Sequence, residues 1–307
     1  MSDQLPLRTS VGAGVRLGNS TTLDGLLDEV RAAEADGFDR VWLAHDPWCQ
    51  DALTHVALAG REVPRIQIGT AVTATYPRHP TALAQQALTI DAAIGEGRLL
   101  LGIGTSHKFV IEDFYGLPFD KPATHTREYL KTLVPLLADH VIPSGGGRPA
   151  EVRLRIPGAG SPPVYLAALG PRMLAVAGEL TSGTITWLTP ASVIRDHIRA
   201  VMDGAASSAG KPRPEVICGL PVCITDDPAD ARARIATHFK EYEYAPSYRA
   251  SMDRAGAAGP ADVALVGTEK EVTTALEELV EAGADELLAV EFGTESERAR
   301  TRSFLLS

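Results

Sequence analysis

Residues 91–104 read DAAIGEGRLLLGIG, and this order of a helical stretch, a glycine and a short apolar run decides the fold. The order recurs as RAAEADGFDRVWLA at 31–44, AVAGELTSGTITWL at 175–188 and LVEAGADELLAVEF at 279–292. We expect the glycine of each segment to take the left-handed conformation that closes a helix; these are Gly37, Gly97, Gly183 and Gly283. The apolar runs are mostly continuous, which is typical of parallel strands covered on both faces.

Further apolar runs bring the predicted strands to eight, at 11–17, 41–44, 66–72, 99–103, 164–168, 184–188, 216–224 and 286–292. Helices are predicted at about 22–35, 51–62, 81–94, 126–138, 171–180, 191–208, 228–243, 269–282 and 295–305. Side-chain oxygens at or near four of the helix starts can cap free N–H groups, at Thr22, Asp51, Thr81 and Thr126. Eight such units in a chain of this length predict an α/β protein with a (β/α)₈ TIM barrel.

A doubly wound open sheet is the rival architecture, and it is disfavoured at the first strand. Gly12, Gly14 and Gly18 do not have the G-x-G-x-x-G spacing of a dinucleotide-binding turn. Three segments exceed what a minimal barrel needs, at about 104–125 after strand four, 141–162, and 244–267 beyond strand seven. None has the composition of a linker, so we expect residues 1–307 to form a single barrel domain.

Composition restricts the partners and the location of the chain. The formal net charge of -10 disfavours nucleic acid and anionic membranes as partners. An odd number of cysteines without C-x-x-C spacing (Cys49, Cys218 and Cys223) fits a reducing cytoplasm better than a disulfide framework. No basic n-region with an apolar h-region begins the sequence, and no apolar run is long enough to span a bilayer.

In a TIM barrel the working residues follow the carboxyl ends of the strands. His45 and Asp46 follow strand two, and the stretch from Thr105 to Lys108 follows strand four. After strand five, Gly170-Pro171-Arg172-Met173 opens a helix whose free N–H groups and arginine can bind a phosphate. The histidines are not spaced as metal ligands, and the nucleophile elbow of a hydrolase is absent. No metal site is therefore expected.

Several stretches together resemble the bacterial-luciferase-like family of flavin and deazaflavin barrels. They include GFDRVWLAHD at 37–46, IGTAVTATYPRHPTALAQQALTIDAAIGEGRLLLGIGTSHK at 66–108, YGLPFDKPATHTREYL at 115–130, LAALGPRMLAVAGELTSGTITW at 166–187, PSYRASMDRAGAAGPADVALVGTEKEV at 246–272 and AGADELLAVEFG at 282–293. The blocks 76–130 and 246–272 look most like the coenzyme F420-dependent oxidoreductases of this family.

The resemblance implies a deazaflavin ring at the barrel mouth. Behind the ring lies the end of strand three, from Thr70, with a non-proline cis peptide bond between Ala71 and Val72. Thr105, Ser106 and His107 would run beside the ring, with His107 as proton donor and His45, beside Asp46, as the second choice. The cofactor tail would lie on the phosphate loop formed by Ala168, Leu169, Gly170, Pro171, Arg172 and Met173. Candidates to line the path of the tail are Arg78, Lys108 and Arg172.

The chain departs from relatives that act on a sugar phosphate. Those carry Asp-His at the end of strand two, where this chain has His45-Asp46, and they carry a glutamate where His107 stands. The substrate pocket is expected to be lined from 109–125, 142–160 and 241–260. Aromatic residues there favour a bulky, apolar substrate; they are Phe109, Phe114, Tyr115, Phe119, Tyr242, Tyr244 and Tyr248.

The leading hypothesis is hydride transfer between F420 and a small to medium organic substrate, by reduction of C=C, C=N or C=O or by alcohol oxidation. One alternative is an FMN-dependent luciferase-like monooxygenase. Another is a flavin- or deazaflavin-binding protein without turnover. A third is a non-redox barrel such as an aldolase, for which neither a strand-end lysine nor a metal set is found. Family resemblance also implies a homodimer.

Overall fold

Eight parallel strands close into a barrel in the described part of the chain, which comprises residues 5–13, 22–142, 144 and 150–307 of a computed structural model. In chain order they are β1 (Arg8–Ala13), β2 (Arg40–Ala44), β3 (Gln67–Ala71), β4 (Leu99–Gly104), β5 (Val164–Ala167), β6 (Gly183–Trp187), β7 (Glu215–Ile224) and β8 (Glu286–Glu291). Each strand pairs with its neighbours in sequence, and β8 closes the ring on β1 with Ser10 opposite Leu288. The predicted (β/α)₈ barrel is confirmed.

Helices surround the barrel and follow its strands. They are α1 (Leu23–Asp36), α2 (Ala52–Glu62), α3 (Pro80–Ile94), α4 (Pro122–Ala138), α5 (Pro171–Leu180), α6 (Ala191–Val193, continued through the π-helical turn Ile194–Arg199 and Ala200–Ser208), α7 (Pro228–His238), α8 (Pro246–Ala255), α9 (Pro260–Val263), α10 (Glu269–Glu281) and α11 (Glu295–Leu305). Among the described helices, none is long and apolar enough to cross a membrane.

The main hydrophobic core lies between the strands and the helices, and a smaller one fills the barrel interior. Every residue of β4 is buried, because helices cover one face and the barrel interior covers the other. The interior core consists of Trp42, Leu100, Tyr165, Ile185, Ile217, Leu288 and Val290. This packing explains why the strand sequences are continuously apolar.

A polar network around Glu286 crosses the barrel interior below this core. The Glu286 carboxylate is fully buried and accepts hydrogen bonds from Ser10 Oγ (2.6 Å) and Trp42 Nε1 (2.8 Å). Its other oxygen pairs with the Arg40 guanidinium at 2.5 Å. Arg8 also lies near, 3.5 Å away. The network therefore ties strands β1, β2 and β8 together and holds the indole of Trp42.

Two of the predicted closing glycines, Gly37 (φ 100°) and Gly283 (φ 92°), are left-handed as expected. Gly97 is also left-handed (φ 79°), but α3 ends before it, with Gly95 as its cap. The expectation for Gly183 is wrong: it begins β6, and α5 is capped by Thr181. An added Cβ at Gly183 would lie 2.2 Å from the Glu215 carbonyl oxygen, so close strand packing requires the glycine.

Two predicted helix starts also need correction. Thr81 does not cap α3, because the ring of His79 accepts the hydrogen bond from its N–H and Pro80 takes the first helical position. Helix α4 begins at Pro122 instead of residue 126, so Thr126 is buried within the helix. The signal in both cases was the proline, whose fixed φ suits a first turn.

The longer segments contain regular structure of their own. Segment 104–125 includes a π-helical turn (Val110–Phe114), and segment 244–267 holds α8, α9 and a short strand (Leu265–Gly267) beside β7. The helix predicted over 228–243 ends at His238, and a 3₁₀ turn (Lys240–Glu243) follows. Segment 141–162 contains the antiparallel pair Val141–Ile142 and Val152–Arg153. Gly14, Gly18, residues 14–17 of the first predicted strand, and 145–149 lie outside the described residues.

Candidate active site at the barrel mouth

A cavity of about 630 Å³ opens at the carboxyl ends of the strands and reaches into the barrel interior. Its deep wall is apolar and comes from Trp42, Ile185, Leu288 and Val290. Polar groups stand nearer the mouth, in the segments that follow β2, β4 and β5. A site of this shape can hold a flat ring system together with a second molecule, and mixed apolar and polar lining is typical of ligand pockets.

The end of β3 forms one wall. The peptide bond between Ala71 and Val72 is cis, as the resemblance implies, and both residues line the cavity. The chain then continues as the short strand Thr73–Ala74, which pairs with the end of β4. Thr70 does not line the cavity: it is fully buried, and its hydroxyl donates to the carbonyl oxygen of Gly102 at 2.7 Å. Thr70 therefore supports the wall from behind.

Two tryptophans of the cavity wall lie over glycines of the adjacent strands. Trp42 is paired in register with Gly69, and Trp187 with Gly219. An added Cβ at Gly69 would lie 2.3 Å from the Trp42 ring, and one at Gly219 would lie 3.0 Å from the Trp187 ring. The glycines therefore leave the space that the two indoles occupy. Sequence reasoning missed both pairs, although glycines within strands often mark such close approaches.

His45 is held in one tautomer by the first turn of α2. The backbone N–H of Ala52 donates to His45 Nδ1 at 3.3 Å, so Nε2 carries the proton of the neutral ring. Burial and the nearby Arg78 guanidinium lower the pKa of His45, while Asp51, 3.9 Å from Nδ1, opposes them. His45 is thus a neutral hydrogen-bond donor on the cavity wall.

The neighbouring Asp46 also lines the cavity. Among the described residues its side chain has neither a hydrogen bond nor an ion pair, and burial raises its pKa. Burial, and to a smaller extent the negative charge of the nearby Asp46, raise the pKa of Tyr242 to about 12. Asp46 is therefore a half-buried carboxyl group whose protonated form is favoured by its surroundings.

His107 lies across the mouth, after β4. Its ring stacks on Phe109 (centroids 5.9 Å apart, planes at 11°) and lies 5.8 Å from the ring of Tyr248. Burial lowers the pKa of His107, which favours the neutral ring. The preceding Ser106 has a left-handed backbone (φ 60°), a conformation that costs energy in a non-glycine residue and occurs often at functional sites. Thr105 and Ser106 line the cavity as predicted.

The predicted phosphate loop is only partly in contact with the cavity. Ala168, Leu169, Gly170 and Met173 line it, whereas Pro171 and Arg172 are exposed at the start of α5. A side chain at Gly170 would meet no atom within 4 Å, so the start of this helix is open.

The basic residues expected along the tail path are placed differently. Lys108 lines the mouth, 3.7 Å from Glu112. Arg78 does not line the cavity and binds Asp51. Of the described lining residues, Lys108 alone carries an ammonium or guanidinium group.

Four of the seven predicted aromatic residues line the cavity, namely Tyr115, Phe119, Tyr242 and Tyr248. Phe109, Phe114 and Tyr244 are exposed outside it, at 57%, 55% and 73%. The described residues of 142–160 contribute nothing to the wall, so that part of the expected lining is wrong. No group of three potential metal-binding side chains occurs within the described ranges.

Comparisons with known proteins agree with this architecture. The sequence model of the luciferase-like monooxygenase family matches residues 7–286. A Mycobacterium tuberculosis protein provisionally named as a coenzyme F420-dependent oxidoreductase is 33% identical over 226 residues, covering 67% of this chain and 64% of that protein. The 5,10-methylenetetrahydromethanopterin reductase of Methanolobus tindarius is 29% identical, covering 67% and 63%. The chain thus spans somewhat less than two thirds of these relatives.

Solved structures share the fold at low sequence identity. An F420-dependent secondary alcohol dehydrogenase, solved with an F420–acetone adduct, superposes with a TM-score of 0.76 at 17% identity, covering 93% of each chain. The oxygenating constituent of a diketocamphane monooxygenase of Pseudomonas putida, solved with FMN, also gives 0.76 at 17% identity, covering 98% of this chain and 96% of that one.

Proposed function

Because the chain belongs to the luciferase-like monooxygenase family, we propose that it is a coenzyme F420-dependent oxidoreductase that transfers a hydride to or from a small to medium organic substrate. The observation that carries the proposal is the continuity of the cavity. It runs from the open start of α5 at Gly170 to the proton-bearing side chains His45, Asp46 and His107. One space can therefore take a cofactor ring, the beginning of its tail and a substrate.

The described residues fit a deazaflavin. Val72 and Ala71 offer an apolar wall against a flat ring, and the adjacent Gly104 leaves room for Val72, since a Cβ there would lie 2.8 Å from Val72 Cγ2. The N–H groups at the start of α5 can bind a phosphate, with Arg172 beside them in solvent. Lys108 adds a cation at the mouth. When bound, reduced F420 supplies the hydride.

The protein supplies position, exclusion of water and a proton. The apolar deep wall keeps water from the reacting carbon. His45, with its Nε2 proton, can hold a substrate oxygen or nitrogen by a hydrogen bond. Asp46 is the one carboxyl group among the described lining residues, and burial raises its pKa, so we propose it as the proton donor. His107, which lies against Phe109 and Tyr248, would orient the substrate.

The test of the cofactor is a fluorescence titration of the purified protein with F420 and with FMN. We expect F420 to bind, and Gly170→Asp to weaken its binding about tenfold, because a carboxylate would replace the phosphate at the helix start. Gly204→Asp on α6 is the matched control, since a side chain there also meets no atom within 4 Å. Binding of FMN without any response to F420 would contradict the proposal.

The FMN-dependent monooxygenase stays the second candidate, since the family description and the FMN-bound structural neighbour both favour it. Oxygen consumption with a reduced flavin and a substrate would identify this activity. Cofactor binding without any turnover of either kind would instead favour a binding protein.

The assembly and the location of the chain are further proposals. We propose a homodimer from the family resemblance and a cytoplasmic location from the odd number of cysteines without C-x-x-C spacing. Light scattering after size-exclusion chromatography measures the assembly, and a monomer at assay concentrations would exclude the dimer.

A further inference from the structure

Among the described residues that line the cavity, Asp46 carries the only carboxyl group. Its side chain has no hydrogen-bonding or ionic partner within the described part of the chain, whereas Glu112 at the mouth pairs with Lys108 and Glu286 at the floor pairs with Arg40. A half-buried carboxylate without a protein partner is solvated only by water, so it is open to a cation from outside the chain. The substrate is the molecule that can supply that cation.

Aromatic residues share the cavity with this carboxyl group, and Tyr242 is close enough for the Asp46 charge to raise its pKa. Trp48 and Tyr242 line the same cavity, and Tyr242 lies 4.8 Å from Tyr248 and 6.2 Å from Trp187, measured between ring centroids. The faces of tryptophan and tyrosine rings attract cations, and they do so more strongly where water is excluded. A carboxylate in one cavity with such rings suits a nitrogen cation.

The other groups of the cavity do not oppose such a cation. His45 and His107 have lowered pKa values through burial, so they are neutral near pH 7. Lys108 is exposed at the mouth, with its ammonium group toward Glu112. The deep part of the cavity is therefore free of fixed positive charge among the residues described.

We propose that the cavity takes a substrate with a basic nitrogen at the reacting bond, an imine that is reduced to an amine, with Asp46 as the residue that binds and protonates that nitrogen. This inference rests on the proposed hydride transfer and names its substrate class. A nitrogen cation fits this wall better than a carbonyl oxygen does, because the charged amine product and the iminium both pair with the Asp46 carboxylate.

The reaction balances with groups already named. The proton of the Asp46 carboxyl moves to the imine nitrogen and leaves a carboxylate–iminium pair. The hydride that the reduced cofactor supplies forms a bond to the carbon, and the π electrons of C=N become the nitrogen lone pair. The imine is reduced, the cofactor is oxidised, and a proton from solvent restores the carboxyl group.

The first test measures binding alone, by isothermal titration calorimetry of the protein without added cofactor at neutral pH. The probes are tetrahydroisoquinoline, which is a cation at that pH, and tetralol, a neutral alcohol of the same ring size. We expect the amine to bind about tenfold more tightly than the alcohol. Asp46→Asn should weaken amine binding roughly tenfold to thirtyfold while leaving the alcohol unchanged, because a desolvated ion pair is lost.

The matched control is Asp113→Asn, which removes an exposed carboxylate from the turn at the mouth and changes the net charge equally. It should leave both affinities unchanged. Circular dichroism checks that both variants are folded. Equal binding of amine and alcohol, or an unchanged amine affinity in Asp46→Asn, would overturn the proposal.

Turnover separates this inference from the proposed function. With F420, dihydroisoquinoline should be reduced and its ketone counterpart tetralone should not. Reduction of tetralone without reduction of dihydroisoquinoline would contradict the imine as substrate and would still support hydride transfer. If F420 fails to bind, the proposed function is wrong. The difference in affinity between the amine and the alcohol still tests the role of Asp46, because it is measured without the cofactor.

Discussion

The pairing of Trp42 with Gly69 gives a quantitative prediction for Gly69→Ala. The new methyl group would lie 2.3 Å from Trp42 Cε3 and 2.4 Å from Cζ3, whereas carbon atoms pack at about 3.5–4.0 Å. The indole must therefore move by more than an ångström. Because Trp42 is fully buried and lines the cavity, we expect it to move into that space.

That movement has two energetic costs. Overpacking of the wall costs about 1–3 kcal/mol. The hydrogen bond from Trp42 Nε1 to the buried Glu286 carboxylate, 2.8 Å long, would also be stretched or lost, and bonds to charged groups contribute about 1.5–3 kcal/mol. We therefore expect Gly69→Ala to lower the free energy of unfolding by about 2.5–6 kcal/mol and to shrink the cavity.

Urea denaturation followed by circular dichroism measures this loss, and titration with ligand measures the smaller cavity. The matched control is Gly204→Ala on α6, where the new Cβ meets no atom within 4 Å, so it should stabilise the protein by about 0.5–1 kcal/mol. If Gly69→Ala unfolds at the same urea concentration as the wild type, the reasoning about the Trp–Gly pair is refuted.

Three other perturbations follow from the charges of the barrel. Glu286→Gln leaves the Arg40 guanidinium without its closest carboxylate and should cost about 3–5 kcal/mol in urea denaturation; a loss below about 1 kcal/mol would contradict the network. Since burial raises the pKa of Asp46, its contribution to stability grows as pH falls through that pKa, so Asp46→Asn should raise the melting temperature at pH 7 more than at pH 4. A lowered pKa has the opposite effect, so His45 and His107 each destabilise the folded protein as pH falls. His45→Asn should therefore lose less stability than the wild type between about pH 7 and 5. An unchanged pH profile of the melting temperature would disprove this.

Much of the scaffold could be predicted because the barrel repeats one local unit. The continuous apolar runs and the residues that close helices are short-range signals, and eight runs became eight strands within the described residues. The same continuity conceals the direction of each side chain. A strand buried on both faces lacks the alternation that separates inside from outside, so the sequence could not tell that Trp42 and Trp187 face the cavity.

Long-range pairing explains the remaining errors at the site. Arg78 lies near the site in sequence, but Asp51, 27 residues earlier, binds its guanidinium. The sequence analysis places the residues of helix α8 in the segment 244–267 and predicts no helix there. Pro246 at the start of the helix and the left-handed Gly256 at its end are nevertheless ordinary helix boundaries. Its low apolar content hid it, and α8 carries Tyr248 into the cavity wall.

The residues chosen at the strand ends illustrate a further limit. Position and family resemblance together select both histidines and Asp46 and rank His107 as the proton donor ahead of His45, but neither signal carries information about burial. The ranking depends on burial, which disfavours charge in every group and therefore lowers the pKa of a histidine while raising that of a carboxylic acid.

The same physics links the proton donor to the choice of substrate. Burial lowers the pKa of both histidines and raises that of Asp46, so in each group it favours the neutral form, and an uncharged imine can enter without introducing net charge. Transfer of the proton then creates two opposite charges side by side, which attract each other strongly where water is excluded. Hydride addition gives an amine, which takes up a proton at neutral pH and stays paired, as a cation, with the Asp46 carboxylate until it leaves. A ketone gains no such pairing with a carboxylate, because its product alcohol stays neutral. The cavity therefore favours the C=N bond through the positive charge that the nitrogen carries beside Asp46, both in the iminium and in the product amine.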